Sequence, residues 1–220
     1  TKNSQSTKLK EYNLEELLFR NKIDIDNPKV IDQYKNKTIM VTGGAGSIGS
    51  ELAKQIAGFK PKKIIVVDNS ETPLHDIQLH FDKNLSNCNC HFELIDVTNE
   101  KEVKLLFELY QPDIVFHAAA YKHVPVLEKN HKQAIKVNVF GTLNCLENAV
   151  KQGTKKFIFV STDKAVNPTN IMGSSKRIAE IIAQNTYQSL DNNSMEIMIT
   201  RFGNVLGSNG SVVHLFKEQI

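Results

Sequence analysis

A glycine-rich segment early in the chain has the residue types and the spacing of a phosphate-binding loop. It reads Gly43-Gly44-Ala45-Gly46-Ser47-Ile48-Gly49, and it fits both G-x-x-G-x-x-G and G-x-G-x-x-G. Glycines permit a tight turn and let backbone amides approach a diphosphate, and the N-terminus of a following helix offers unpaired N–H groups. The sequence therefore predicts that a dinucleotide is bound by Gly43, Gly46, Ser47, Ile48 and Gly49.

An acidic residue ends the next apolar run, where a dinucleotide site requires one. A carboxylate at Asp68 would accept the two hydroxyls of the adenosine ribose and would repel a 2′-phosphate. The next three residues are Asn69, Ser70 and Glu71, so no arginine stands beside it. We therefore expect NAD rather than NADP as the cofactor, held by Asp68, Asn69 and Ser70. A glycine turn that binds no ligand is the alternative.

Two further segments come directly after predicted strands and are candidates for contact with the cofactor. Asp96-Val97 ends the third strand, where a side chain can reach the adenine, although this aspartate alone would be an ordinary strand-ending residue. Ala118, Ala119 and Ala120 come after the fourth strand, where small residues leave room for the cofactor. Tight packing between helix and sheet would explain these alanines equally well.

These loops must be positioned by a parallel sheet, and the hydrophobic pattern predicts one. Short β-branched runs alternate with longer segments of helical period. Predicted strands lie at 37–42, 63–67, 91–95, 113–117, 156–160 and 196–200, and predicted helices lie at 47–58, 72–83, 99–110, 128–152 and 173–190. This alternation indicates the α/β class, with a doubly wound parallel sheet of the NAD(P)-binding Rossmann type.

We expect the chain to divide into an N-terminal arm, residues 1–36, and an NAD-binding Rossmann domain, residues 37–220. Leu14, Leu17 and Leu18 share one helical face, which predicts a short helix in the arm. A linker with a chance apolar stripe is the alternative. We expect a C-terminal substrate domain to be missing from this chain.

Composition and charge exclude several other classes of protein. The 220 residues are 40% hydrophobic and 23% charged, as in ordinary globular proteins, and the net charge of +3 comes with scattered lysines, which argues against nucleic-acid binding. Three cysteines form no disulfide framework, and Cys88-Asn89-Cys90-His91 lacks the second ligand pair of a zinc site, so we predict no metal. No run of about 18 apolar residues occurs, so we expect no membrane contact by this chain.

The segment after the fifth predicted strand carries a second group of reactive residues. It reads Ser161-Thr162-Asp163-Lys164-Ala165-Val166-Asn167-Pro168-Thr169-Asn170-Ile171-Met172-Gly173-Ser174-Ser175-Lys176. Together with the glycine loop, it resembles the extended short-chain dehydrogenase/reductase superfamily. More narrowly, it resembles the nucleotide-sugar dehydratases of polysaccharide biosynthesis, whose prototype substrate is UDP-N-acetylglucosamine. The stretches 118–125, 137–142 and 201–208 support the resemblance.

The chain departs from the superfamily at its usual catalytic pair, Tyr-x-x-x-Lys, in which the lysine binds the nicotinamide ribose and lowers the pKa of the tyrosine. Lys176 stands at the lysine position, but Met172 stands at the tyrosine position, and a thioether is a poor proton acceptor. Taken alone, Met172 would suggest a non-catalytic NAD-binding module. The long, membrane-anchored dehydratases are similar in carrying methionine there, which favours an active enzyme that uses another proton carrier.

The resemblance also implies roles for Thr162, Asp163 and Lys164. In these dehydratases a hydride passes from C4 of the sugar to NAD, the C5 proton is removed, the C6 hydroxyl leaves as water and the hydride returns to C6. We expect Lys164 to be the C5 base, with a lowered pKa, and Asp163 to be the acid, with a raised pKa. Asp163, or a water held by Thr162, would take the proton of the C4 hydroxyl. In an unknown fold, Asp163–Lys164 would be interpreted as a surface ion pair.

Three more residues are expected to face the substrate: Lys122 and His123 at the sugar, and Asn204 at the diphosphate. The predicted function is that of a hydro-lyase, an NAD-dependent UDP-N-acetylglucosamine 4,6-dehydratase that retains the C5 configuration. A nucleotide-sugar 4-epimerase or reductase, a dehydratase that also inverts C5, and a non-catalytic NAD-binding module are the alternatives. The resemblance implies that the inverting dehydratases usually keep the tyrosine, so Met172 favours retention. We expect this chain to be at most weakly active alone, and the full-length protein to be a homo-oligomer anchored at the cytoplasmic side of the inner membrane.

Overall fold

The computed structural model describes residues 27–190 and 194–205. The strands are β1 (Thr38–Thr42), β2 (Lys63–Asp68), β3 (Cys90–Leu94), β4 (Ile114–His117), β5 (Lys156–Thr162) and β6 (Glu196–Phe202). The helices are α1 (Pro28–Tyr34), α2 (Ser47–Gly58), α3 (Glu71–Asn84), α4 (Glu100–Tyr110), α5 (Val124–Leu127), α6 (His131–Ala134), α7 (Thr142–Lys151) and α8 (Ile171–Ser189). A π-helical segment, Ile135–Gly141, joins α6 to α7, and a 3₁₀ turn, Asp163–Ala165, comes after β5.

The six strands form one parallel sheet in the order β3-β2-β1-β4-β5-β6. Every residue of β1 is buried, as the apolar run at 38–42 requires of a central strand covered on both faces. The predicted α/β class and the doubly wound parallel sheet are therefore confirmed.

Helices cover both faces of the sheet. On one face, α2 and α3 pack Ala53, Ile56 and Phe81 against the strands. On the other face, α4, α7 and α8 contribute a second buried cluster that includes Phe107 and Leu146. The two layers bury both faces of the sheet, so the loops at its carboxyl edge leave from packed strands.

The chain changes direction across the sheet between β1 and β4, which lie side by side although β2 and β3 separate them in sequence. Thr42 at the end of β1 is aligned with Val67 of β2 and with His117 of β4. Loops that leave neighbouring strands in opposite directions open a crevice at their carboxyl ends, where ligands of such sheets bind.

The helix predicted at 128–152 begins later than expected and is not α-helical throughout. After α5 and an irregular turn around Asn130, the chain is helical from His131 to Lys151, as α6, the π-helical segment and α7 in succession. Pro125 in the first turn of α5 starts a separate short helix, and the extra residue of the π-helical segment changes the rotational phase of α7. Apolar periodicity could not reveal the π-helical segment, since that segment remains helical.

The N-terminal arm is described only from residue 27. The predicted helix around Leu14, Leu17 and Leu18 lies outside the described residues. Within the arm, α1 is a helix that the apolar pattern did not predict; Asn27 caps its first turn, and Tyr34 stacks on Phe59. The division at residue 36 stays a prediction.

Candidate functional site

A cavity of about 920 Å³ opens at the carboxyl edge of the sheet, within the range of small-molecule sites. The predicted site residues that line it are Gly43, Gly46, Ser47, Ile48, Gly49, Asp68, Asn69, Ser70, Val97, Ala118, Ala119, Ala120, Lys122, His123, Thr162, Lys164, Met172, Lys176 and Asn204. Asp96 and Asp163 do not line it. The fold thus gathers segments that are more than 150 residues apart in sequence into one concave site, while their roles there stay predictions.

The glycine loop makes close backbone approaches that a side chain would block. Gly43 has φ +65°, and a Cβ atom there would lie 2.5 Å from the backbone nitrogen of Ala119. A Cβ at Gly49 would lie 2.2 Å from the carbonyl oxygen of Gly43. The loop can pack under β4 and lead directly into α2 only with glycine at these two positions.

The first turn of α2 faces the cavity without a side-chain cap, because Gly46 is its N-cap residue. The first N–H groups of any α-helix lack partners within the helix, and the helix dipole makes this end favourable for an anion. The loop and helix end therefore have the geometry of a diphosphate site.

Asp68 ends β2 and ties the glycine loop to the strand. One carboxylate oxygen accepts a hydrogen bond from Ala45 N and the other from Ser70 N, both at 3.0 Å. A carboxylate has lone pairs left after two such bonds, so Asp68 can still accept ribose hydroxyls. Its first task, organising the loop backbone, was not foreseen from the sequence.

Of the two predicted site residues after β3, Val97 lines the cavity and Asp96 does not. The Asp96 carboxylate accepts a hydrogen bond from Thr98 N at 2.9 Å and thereby caps the turn before α4, and its contact with the adenine stays a prediction. Val97 does line the cavity, and a Cβ at Gly141 would lie 2.8 Å from its Cγ2. This close contact packs the π-helical segment against the end of β3.

The 3₁₀ turn after β5 carries an ion pair. Lys164 Nζ lies 3.1 Å from Asp163 Oδ1, and Thr162 Oγ1 donates to the same oxygen at 3.0 Å. Lys164 also donates to Asn204 Oδ1 at 3.4 Å, so Asn204 lies against the amine. The side chain of Asp163 is 57% exposed and that of Lys164 38% exposed.

These contacts set the charge state of Asp163. The hydrogen bonds from Lys164 and Thr162 lower the pKa of this carboxyl below its ordinary value. The raised pKa expected from burial is wrong for this state of the chain, because the side chain is exposed and faces a cation. In this state, Asp163 is an ionised partner of Lys164.

Lys176 lies buried beneath the same cavity on α8. Its Nζ donates to the carbonyl oxygen of Val160 at 2.7 Å and sits 4.1 Å from the centre of the Phe159 ring. Burial lowers its pKa to about 7, while Glu180 acts in the opposite direction. The buried amine therefore loses its proton at a lower pH than an exposed lysine does.

Met172 lies one helical turn before Lys176 and is 5% exposed. It packs with Leu127 of α5 and Ala134 of α6, yet it still lines the cavity. The place of the superfamily's tyrosine is therefore filled by a buried apolar side chain that cannot carry a proton.

His117, which no sequence motif marks, lies at the end of β4 and is fully buried. Thr142 Oγ1 donates to Asn138 O at 2.8 Å, so it accepts from His117 Nε2 at 3.0 Å. Nδ1 then accepts from Thr42 Oγ1 at 2.7 Å. Burial, with the charge of Lys176, lowers the pKa of His117 to about 3, so the ring stays neutral.

Asn138 also contributes to the site in a way that the sequence did not reveal. Its side chain accepts from Tyr121 N at 2.8 Å and donates to Tyr121 O at 3.0 Å and to Ser175 Oγ at 2.9 Å. It thus joins the loop after β4, which includes Lys122 and His123, to α8. The signal was present only as an asparagine in an apolar stretch, Val137-Asn138-Val139.

The described residues show neither a metal-binding cluster nor a membrane-spanning helix. No group of three or more histidine, cysteine, aspartate or glutamate side chains is placed to hold a metal ion in the described part of the chain. No helix within 27–190 or 194–205 is both long and apolar enough to cross a bilayer.

Comparison with known proteins gives the family. The model of the family described as "Polysaccharide biosynthesis protein" matches residues 39–220. The probable polysaccharide biosynthesis protein EpsC of Bacillus subtilis (strain 168) is 41% identical over 213 residues, which are 96% of this chain and 35% of that protein. A UDP-N-acetylglucosamine 4,6-dehydratase (inverting) of Campylobacter jejuni is 37% identical over 85% of this chain and 54% of its own length.

A solved structure agrees with this result. The X-ray structure of Pen from Bacillus thuringiensis superposes with a TM-score of 0.80 at 36% identity, over 85% of this chain and 56% of that one. The chain therefore spans between about a third and about half of the length of these proteins. With the family model covering more than half of its residues, the chain belongs to the polysaccharide biosynthesis protein family.

Proposed function

We propose that this chain is the cofactor-binding and proton-transfer part of a nucleotide-sugar dehydratase, a hydro-lyase that converts UDP-N-acetylglucosamine to the 4-keto-6-deoxy sugar. The observation that carries the proposal is that one cavity is lined by the glycine loop, by Lys176 and by Lys164, which pairs with Asp163. The relatedness to a 4,6-dehydratase supports the same class of reaction.

NAD fits the residues present. The turn at Gly43 leaves no room for a side chain, the first turn of α2 is uncapped, and Asp68 keeps acceptor capacity for ribose hydroxyls. We assign the diphosphate to the loop and the adenosine ribose to Asp68, with Asn69 and Ser70 beside it. When bound there, NAD would supply the hydride acceptor for C4 of the sugar and the hydride donor for C6.

The protein's own part is to move protons. The required state is a neutral Lys164, which can take the C5 proton, and a protonated Asp163, which can give a proton to the departing C6 hydroxyl. The observed ion pair differs from that state by one proton moved along the 3.1 Å hydrogen bond from Lys164 to Asp163. A substrate that covers this exposed pair removes water, and removing water disfavours the charged form. The proton of the C4 hydroxyl passes to a water held by Thr162, and that water returns a proton to Asp163 once the C6 hydroxyl has left, so the pair ends in the state in which it began.

The other residues hold or shape the site. Thr162 donates to Asp163 and accepts from Lys164 N at 3.3 Å, so it fixes the conformation of the turn. Lys176 holds the nicotinamide ribose, and its position under the cavity suits that task. Lys122 and His123 contact the sugar, while Asn204 contacts Lys164 and lies at the substrate diphosphate end.

Met172 supports retention at C5 rather than inversion, because inverting members of this group usually keep a tyrosine at that position. The Asp163–Lys164 pair alone then returns the proton to C5, on the same face of the sugar from which the proton was removed. The homo-oligomer, the attachment of the full-length protein to the membrane and the arm–domain division stay predictions.

The test is to incubate the full-length protein with UDP-N-acetylglucosamine and NAD and to weigh the product. Loss of one water is expected, and the NMR couplings of the product then report the configuration at C5. A product with the mass of the substrate would point to the 4-epimerase alternative. Tight NAD binding without any turnover would point to a non-catalytic module, and either result would contradict the proposal.

A further inference from the structure

Glu180 is a fully buried carboxylate that does not line the cavity. Four hydrogen bonds end on its two oxygens: Ser161 Oγ at 2.7 Å, Arg201 Nε at 2.9 Å, Arg201 Nη2 at 2.8 Å and Arg177 Nη1 at 2.9 Å. Burial alone would raise its pKa, but the bonds from Arg201, Ser161 and Arg177 outweigh burial and lower it to about 2. Glu180 is therefore an anion at neutral pH.

The partners of Glu180 come from the three elements that form one wall of the site. Ser161 is the residue before Thr162 on β5, and Arg201 is the residue before Phe202 on β6, which lines the cavity. Glu180 itself lies one helical turn after Lys176 on α8. Since Lys176 binds Val160 O, α8 holds two consecutive residues of β5 from two consecutive turns.

A third contact continues this line along α8. A Cβ atom on Gly173 would lie 2.2 Å from the carbonyl oxygen of Lys164, so the first turn of the helix touches the backbone of the proton-transfer turn. The distance between α8 and this turn thus depends on how closely α8 packs against β5 and β6. Glu180 is the charged group on α8 that binds both strands, because Arg201 of β6 donates two parallel hydrogen bonds to it and Ser161 of β5 donates one.

We propose that Glu180 is a positioning residue: its buried charge, clasped by Arg201, sets the placement of the Thr162–Lys164 turn and of Lys176 relative to each other. The inference rests on the proposed function for the meaning of that placement. The effect of Glu180 on the arrangement of β5, β6 and α8 does not depend on the reaction, because this arrangement can be measured without substrate.

The main variant is Glu180→Gln, which keeps the size of the side chain and removes its charge. Arg201→Lys is the second variant, which keeps the charge and removes the two-donor clasp. The matched control is Glu147→Gln, which removes an exposed ion pair with Lys151 on α7. Lysine labelled with ¹³C at Cε reports Lys164 and Lys176 by NMR in the chain without any ligand.

We expect Glu180→Gln and Arg201→Lys to shift the resonances of both lysines, and Glu180→Gln also to lower the titration midpoint of Lys176, whose pKa Glu180 raises. We expect no change in Glu147→Gln. In the active full-length protein we expect kcat per folded molecule to fall by about 100-fold, the loss that a displacement of about 1 Å can cause. KM is expected to stay within about threefold, because the substrate-binding groups remain.

The inference is overturned if both variants are folded and leave the Lys164 and Lys176 resonances as in the parent, or if the loss of kcat equals the loss of folded protein. If Glu180→Gln does not fold, Arg201→Lys decides between these outcomes. A parent protein that fails to dehydrate any nucleotide sugar would overturn the proposed function, and the ligand-free NMR result would still decide the role of Glu180.

Discussion

Replacing Gly43 by alanine tests whether the close approach of the glycine loop to β4 is the basis of cofactor binding. The new methyl group would lie 2.5 Å from Ala119 N and 2.6 Å from Ala119 Cα, where ordinary contacts begin at 3.4 Å. These are backbone atoms of β4's continuation, so they cannot rotate away as a side chain could. The substituted residue would also have to keep a positive φ, which costs a residue with a Cβ atom about 1–2 kcal/mol.

The matched control is Gly153→Ala. Gly153 has φ +71°, nearly that of Gly43, but a Cβ there meets nothing within 4 Å. The control carries only the backbone cost, whereas Gly43→Ala adds an overpacking cost of about 1–3 kcal/mol. The difference between the two variants isolates the contact with Ala119.

Thermal unfolding and titration with NAD measure the two consequences. At roughly 2–4 °C per kcal/mol for a chain of this size, Gly43→Ala is expected to melt about 2–12 °C below Gly153→Ala. NAD affinity is expected to fall at least tenfold in Gly43→Ala and to be unchanged in the control, since a loop shifted by about 1 Å no longer presents its amides to the diphosphate. Equal melting temperatures and equal NAD affinities for the two variants would refute this account of the loop.

Three further predictions concern the other side of the cavity. Burial lowers the pKa of Lys176 from 10.5 to about 7, so between these pH values the unfolded chain binds one more proton than the folded chain. The free energy of unfolding of the parent, relative to that of Lys176→Met, is therefore expected to rise with pH over this range. Chemical denaturation at several pH values measures this difference, and a difference that does not change with pH would contradict the burial of the amine. Gly173→Ala would place a methyl group 2.2 Å from Lys164 O. We expect this variant to lower kcat in the full-length protein while NAD affinity is retained. An unchanged kcat would show that the reaction tolerates displacement of the turn. Asp163→Asn is expected to abolish water loss. Its melting temperature is expected to change little, because the side chain is exposed. If the variant still dehydrates the sugar, Asp163 is not the acid.

Local sequence predicted the strands well because each one is a short β-branched run between turn-forming residues. The run at 38–42 and the glycines after it were enough to place the phosphate loop at the carboxyl end of a buried strand. The ends of β5 and β6 extend two residues beyond the predicted strands, to Thr162 and Phe202, because these two strands pair with each other along that length.

The features that the sequence could not predict depend on partners that are distant along the chain. His117 is neutral because it is buried and lies near the charge of Lys176, and its two nitrogens are bound by Thr42, 75 residues earlier, and by Thr142, 25 residues later. Asn138 reaches the loop after β4 only because a π-helical segment presents it there. The ionisation of Asp163 likewise results from its exposure and its distance to Lys164, neither of which can be read from the order of residues.

The central claim is that a hydride leaves C4 of the sugar and returns to C6 of the same molecule while Asp163 and Lys164 move the protons. The most direct measurement uses UDP-N-acetylglucosamine that carries deuterium at C4, the full-length protein and mass spectrometry with NMR of the product. The account predicts a product lighter by one water with the deuterium at C6. A product of unchanged mass, or one that has lost water but has no deuterium at C6, would contradict it.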